Sequence, residues 1–238
     1  MRRSPDPAPR AAVDWTAVAR DLDTRGFARL PGLLSPAACD EVAALYARDA
    51  HFRKTIDMAP KRFGVGQYRY FKAPLPPRIA ALRAGAYAPL AAIANDWRAA
   101  LGSKDRFPST HAAYLRLCHR HGQTRPTPLL LRYGAGGCNR LHQDLYGPLV
   151  FPLQLTVQLR RPGIDFEGGE FLLVEQHPRE QSIGTALALA QGEAVIFPVR
   201  DRPVRGKRGF RRVGVRHGVS LVSAGDRLTL GIIFHDAA

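Results

Sequence analysis

The clearest pattern in the chain is an alternation between residues 150 and 159. Phe151, Leu153, Leu155, Val157 and Leu159 are apolar, with Pro152, Gln154, Thr156 and Gln158 between them. A period of two belongs to a β-strand, whose successive side chains point to opposite faces. Apolar runs at 128–131, 171–174, 192–198, 217–222 and 227–234 read as further strands, set off by turns such as Gly168-Gly169, Gly192 and Gly225-Asp226. Many short strands punctuated by Gly, Pro and Asp predict a barrel or a double-sheet jelly roll.

The first half of the chain has a different period. Residues 14–24 read as a helix. Ser35 is a good N-cap with Pro36 at the first helical position, which predicts a helix running to about residue 47. The alanine-rich stretch 78–100 reads as two helices broken at Pro89, and 111–121 as another. The expected architecture is α+β. A Pro- and Arg-rich tail at 1–12 is expected to be disordered, a helical support region spans 13–122, and a β-core spans 123–238.

Candidate chemistry sits in the second half. His142 and Asp144 form an H-x-D pair just after the first apolar run. Residues two apart on a strand share a face, so both side chains can reach one ion. His217, on a later strand, adds a second imidazole. Two imidazoles and one carboxylate are the facial ligand set that holds non-haem Fe(II) with positions left open. Downstream stands Arg227, and a guanidinium can grip a carboxylate through two parallel hydrogen bonds.

With these residues in order, the stretch from about 130 to 234 resembles the double-stranded β-helix of Fe(II)/2-oxoglutarate-dependent dioxygenases. Arg227-Leu228-Thr229 is similar to that superfamily's R-x-S/T cosubstrate motif. The segment Arg25-Gly26-Phe27-Ala28-Arg29-Leu30-Pro31-Gly32 resembles the strand-to-helix lead-in of its prolyl-hydroxylase and phytanoyl-hydroxylase branches. The whole chain resembles a bacterial group of oxygenases acting on damaged nucleic acid by oxidative demethylation. The resemblance implies Fe(II) held by His142, Asp144 and His217, and 2-oxoglutarate held by Arg227 with Thr229 or Tyr133. With O2, the cosubstrate would be decarboxylated to succinate while the substrate is oxidised.

The net charge of +15 bears on the partner, because phosphate backbones attract such a surface. The densest cluster, Arg200 to Arg216, reads as a loop leading to His217 and includes Arg205, Arg208 and Arg216 as substrate contacts. A second segment interleaves Lys61, Arg62, Phe63, Tyr68, Arg69, Tyr70 and Phe71, as a base-stacking surface would. Tyr68 and Tyr70 are candidate substrate residues there, and core or pocket wall is the competing reading. Lysine contributes only Lys54, Lys61, Lys72, Lys104 and Lys207 to the 35 cationic residues, a skew that also fits a GC-rich genome.

Other features carry less. His235 follows the last strand without a downstream arginine and reads as an exposed or packing residue. His119 and His121 read as surface residues, since neighbours two apart on a helix do not share a face. Ser220 and Ser223 lack a nucleophile-elbow context, and Gly134-Ala135-Gly136-Gly137 reads as a loop. Three widely spaced cysteines, Cys39, Cys118 and Cys138, suggest a reducing compartment. No apolar run approaches the length of a membrane span. A cytoplasmic oxygenase of alkylated nucleic acid is the expected reading. A protein side-chain or small-molecule hydroxylase and a non-catalytic nucleic-acid-binding jelly roll are the alternatives.

Overall fold

The computed structural model describes residues 13–238, so the basic tail expected at 1–12 lies outside the described residues. The first half contains α1 (Trp15–Arg25), β1 (Ala28–Leu30), α2 (Pro36–Ala44), β2 (Phe52–Asp57), β3 (Gly64–Val65), β4 (Gln67–Phe71), α3 (Pro77–Ala100) and α4 (His111–Arg120). The second half is β: β5 (Leu129–Tyr133), β6 (Cys138–His142), β7 (Leu153–Gln158), β8 (Phe166–Gly168), β9 (Phe171–Gln176) and β10 (Ile183–Leu187). There follow β11 (Ala194–Pro198), β12 (Asp201–Gly206), β13 (Gly209–Val219), β14 (Val222–Gly225) and β15 (Arg227–Ile233).

Two antiparallel sheets form the jelly roll. The larger has the order β1-β11-β7-β15-β5-β4-β2, and the smaller β10-β9-β13-β6-β3 with β12 added beside β13. The region 13–122 is therefore more than a helical support, because β1, β2, β3 and β4 extend the sheets at their edges. Their shortness and mixed polarity left no period-two signal in the sequence.

Alternation along the large sheet separates two environments. On β15, Leu228, Leu230 and Ile232 join a core with Val18 and Leu22 of α1, Val42 of α2, Tyr87 and Leu90 of α3, and Tyr114 of α4. Arg227, Thr229, Gly231 and Ile233 line a cavity on the opposite face. On β7, Leu153 and Val157 face the helices, whereas Gln154 and Thr156 face the cavity. Between the sheets, Phe171, Leu173 and Val215 pack on Val195 and Phe197 in a second core.

Pro89 does not split its helix: α3 runs unbroken from Pro77 to Ala100. Buried Ile79, Arg83, Tyr87, Leu90, Ala94 and Trp97 continue one packed face across the proline. That burial outweighs the roughly 3 kcal/mol an internal proline costs. Asp14, Ser35 and Thr110 cap α1, α2 and α4 with side-chain oxygens on Ala17, Ala38 and Ala113 amides. The arginine-rich segment from Arg200 to Arg216 is not a loop either. Most of it forms the β12–β13 hairpin, in register from Asp201–Gly214 to Gly206–Gly209.

Candidate metal centre and active site

β6 delivers His142 at its last residue, and β13 places His217 directly across from it. The β6–β13 pairing shifts register just after His217, where Gly218 has no room for a side chain: a Cβ would meet the Asn139 carbonyl at 2.6 Å. Bulges of this kind re-aim side chains beside functional sites. Asp144 lies two residues beyond β6, in the following loop and not on the strand as its spacing suggested. Its side chain nevertheless turns back between the two histidines.

The three groups converge closely. His217 Nε2 lies 3.2 Å from Asp144 Oδ2, and His142 Nε2 lies 3.7 Å from Asp144 Oδ1. One ligand atom from each residue falls within 4.8 Å of the others. The Nδ1–H of His142 donates to the Arg140 carbonyl at 2.7 Å, which leaves Nε2 as the lone-pair nitrogen facing the carboxylate. His217 is held by packing between Phe197 and Phe171, with ring centroids at 4.8 and 6.1 Å.

Tyr146 completes the set and was not anticipated from the sequence. Its hydroxyl donates to Asp144 Oδ1 at 2.6 Å and accepts from the Tyr70 hydroxyl at 3.0 Å. Burial works against the Asp144 charge. The hydrogen bond and charge of His217, the charge of His142 and the Tyr146 hydroxyl outweigh it and hold the carboxyl well below its usual range. Burial, with the charge of His217, pushes the His142 pKa down.

Arg227 belongs to the opposite sheet. β14 intervenes between His217 and Arg227, and the two residues face the cavity from different sheets. Arg227 is 2% exposed, yet its Nε and Nη1 have no hydrogen-bond partner. It lies across from Tyr133 in the β15–β5 register, with that ring at 5.5 Å and Phe166 at 5.9 Å. Gly169, at φ +64, keeps its lower flank open, since a Cβ there would meet Arg227 Cδ at 2.7 Å. Burial lowers the Arg227 pKa to about 10, against the pull of Tyr133 and Glu170. Burying an unpaired cation costs several kcal/mol, so these orphaned donors suit an anionic ligand. The His-Asp-His donor set likewise suits Fe(II). The residues therefore fit both groups that the resemblance implies.

The cavity they share measures about 410 Å³. It brings together His142, Asp144, His217, Arg227, Thr229, Tyr133, Tyr68 and Tyr70 from the sequence reading. Asn139, Gln154, Tyr146 and the half-exposed Phe63 also line it. Arg205, Arg208 and Arg216 do not; they lie on the hairpin outside the lining. Phe71 is fully buried core. His235 is not exposed: it is wholly buried, and its Nδ1 accepts from the Phe151 amide at 3.3 Å. His119 does more than cover surface, because its Nε2 meets buried Asp236 at 2.9 Å. His121 bonds the Leu117 carbonyl at the end of its own helix.

Residues 66–237 match the model of a family described as an oxygenase catalysing oxidative methylation of damaged DNA. Uncharacterized proteins from two strains of Mycobacterium tuberculosis are 48% identical over 182 residues, covering 74% of this chain and 78% of each relative. Among solved structures, a prolyl-4-hydroxylase from Pseudomonas putida superposes with a TM-score of 0.56 at 16% identity, covering 94% of this chain and 99% of that one. An oxidoreductase of the 2OG-Fe(II) oxygenase family from Burkholderia pseudomallei gives 0.55 at 18% identity, with 96% and 95% covered. These structures share the fold. Since the family model spans most of its length, the chain belongs to this family of oxygenases.

Proposed function

We propose that this protein is an Fe(II)- and 2-oxoglutarate-dependent dioxygenase that oxidises N-methyl groups on alkylated nucleic-acid bases. The observation that carries the reading is the convergence of His142, Asp144 and His217 on one cavity with a buried, unpaired Arg227. His142, Asp144 and His217 would hold the iron. Arg227 would grip the far carboxylate of 2-oxoglutarate, with Thr229 or Tyr133 beside it. When bound, the iron and its cosubstrate supply oxygen activation and C–H oxidation, with succinate and carbon dioxide as coproducts.

The chain's own residues orient and shield. Tyr146 fixes the Asp144 carboxylate through the 2.6 Å bond, and Tyr70 backs Tyr146. Phe63, Tyr68 and Tyr70 give the cavity an aromatic wall suited to a flat base. The family description and the net charge of +15 support nucleic acid as the substrate class. Hydroxylation of an N-methyl group leaves a hemiaminal that releases formaldehyde.

The test is to follow succinate and formaldehyde together, with methylated and unmethylated single-stranded DNA. Formaldehyde that tracks succinate only on the methylated strand supports the reading. Succinate indifferent to DNA would overturn the base assignment and point to a protein or small-molecule substrate.

Two substitutions probe the site. Arg227→Ala should weaken 2-oxoglutarate binding on the order of a hundredfold, the equivalent of about 3 kcal/mol for truncating a buried charged partner. Calorimetric titration of the metal-loaded protein measures this, and an unchanged affinity would move the carboxylate grip elsewhere. Tyr146→Phe should lower metal affinity by roughly 10–100-fold, as loss of a ligand-orienting hydrogen bond does. Competition with a calibrated chelator reads that loss, and equal affinity would make the Tyr146 hydroxyl dispensable.

A further inference from the structure

The β12–β13 hairpin carries most of the densest arginine cluster, and its contacts divide that cluster in two. Arg202 is buried against Glu175 at 2.5 Å, Arg211 reaches Glu180 at 3.3 Å, and Arg200 and Arg212 share Asp201 at 3.3 and 3.0 Å. All four are paired within the chain, Arg202 in a buried contact and the other three in pairs at the surface. Arg205, Lys207, Arg208 and Arg216 are exposed and have no carboxylate partner among the described residues. Phe210, 48% exposed, stands among them.

The hairpin's placement gives this unpaired set a direction. Residues Gly214 to Val219 of β13 pair with β9, whereas Gly209 to Val213 pair with β12 alone. The hairpin thus runs past the sheet at the end where β6 stops at His142 and yields to the Asp144 loop. Its base is tied to that loop, since the Gln143 side chain donates to the Arg200 and Val215 carbonyls at 3.0 and 2.8 Å. At about 3.3 Å per residue, the tip stands about 25 Å beyond His217. Arg205 and Phe210 are cross-strand partners and so share a face, with the guanidinium 6.0 Å from the ring. Arg216 lies on that same face of β13 by period two, the outer face, opposite the one on which Val213, Val215 and His217 turn inward.

We propose that this hairpin grips the single strand flanking the target nucleotide, with Phe210 stacking on a base and Arg205, Lys207 and Arg208 contacting phosphates. The proposal rests on the nucleic-acid reading of the cavity and extends it to a second contact region. An exposed ring among unpaired cations is what strand binding needs, because every base offers a face to stack and every linkage a charge. An acidic peptide would use the cations and leave the ring idle. A base oxidised inside a cavity must first leave its stack, so a grip on unpaired strand serves the same task.

The test is fluorescence anisotropy of the full-length protein with a short labelled oligothymidine, unmethylated, across a salt series. Replacing Arg205, Lys207 and Arg208 together by serine should weaken binding at least tenfold at low salt and lower the salt slope by about two, at roughly 0.7 per lost phosphate contact. Phe210→Ser should weaken binding about tenfold or more while leaving the slope alone. Thermal melting confirms that both variants are folded. Variants that bind as wild type does would overturn the hairpin grip and leave the cavity reading standing. Displacement of the strand by polyglutamate at equal affinity would also overturn it. Strand binding that behaves as expected, with succinate still indifferent to methylated DNA, would support the grip and sink the base-oxidation reading.

Discussion

Asp144→Ala is expected to abolish iron-dependent turnover while the protein stays folded. Among the described residues Asp144 is the sole carboxylate lining the cavity, so its removal leaves two imidazoles and no anionic ligand there. Its loss should exceed the roughly 10–100-fold penalty typical of an outer hydrogen-bond partner. The fold should tolerate the change because the carboxylate's partners are the two histidines and Tyr146, all at the cavity. Metal retained after Fe(II) loading and dialysis, succinate formation and the melting curve would be measured together. Full turnover in the variant would place the metal elsewhere. His142→Ala should behave alike.

The largest stability effect is expected where α3 meets the end of the chain. Arg83 projects from α3 and is 2% exposed. Its Nε donates to the Ile233 carbonyl at 2.8 Å, and its Nη2 reaches the His235 carbonyl at 3.1 Å and Asp236 Oδ1 at 2.9 Å. Asp236 also receives His119, while Gln123 donates to the Asp236 carbonyl at 2.6 Å. The stretch after β15 is thereby fastened to the helices. Burial lowers the Arg83 pKa, and the Asp236 charge opposes that. Removing one partner of a buried pair leaves the other uncompensated, so Arg83→Ala should cost about 3–5 kcal/mol. For a chain of this size that corresponds to a melting shift of about 10 °C. Urea denaturation would measure it, and a loss below about 1 kcal/mol would show the network to be structurally idle.

The sequence revealed the jelly roll because strand periodicity is local. Alternation over 150–159 marked β7 and separated Leu153, Leu155 and Val157 from Gln154, Thr156 and Gln158. It did not reveal that the polar set is also buried, because period two tells faces apart without saying what covers each. Gln154 and Thr156 face a cavity, not solvent. The triad and Arg227 were legible as residue types in order, and the fold brings all four to one space. Tyr146 was missed although it stands two residues from Asp144; only the turn of that loop puts its hydroxyl on the carboxylate. Arg83 and Asp236 were invisible for another reason, since no local spacing encodes a contact between α3 and the end of the chain. Pro89 misled because helix propensity is a local cost and the packed face of α3 is a tertiary gain. The arginine cluster read as a uniform loop. Its division into paired and unpaired cations depends on Glu175, Glu180 and Asp201, which only the pairing of β12, β13 and β9 brings alongside.

The central claim is that this cavity is an iron and 2-oxoglutarate oxygenase centre. Its most direct test is oxygen-dependent conversion of 2-oxoglutarate to succinate by protein loaded anaerobically with Fe(II), beside a chelator-treated sample and the Asp144→Ala variant. Succinate is expected from the loaded wild type alone. Equal succinate from all three samples, or none from wild type that has retained its iron and binds 2-oxoglutarate no better than Arg227→Ala, would contradict it.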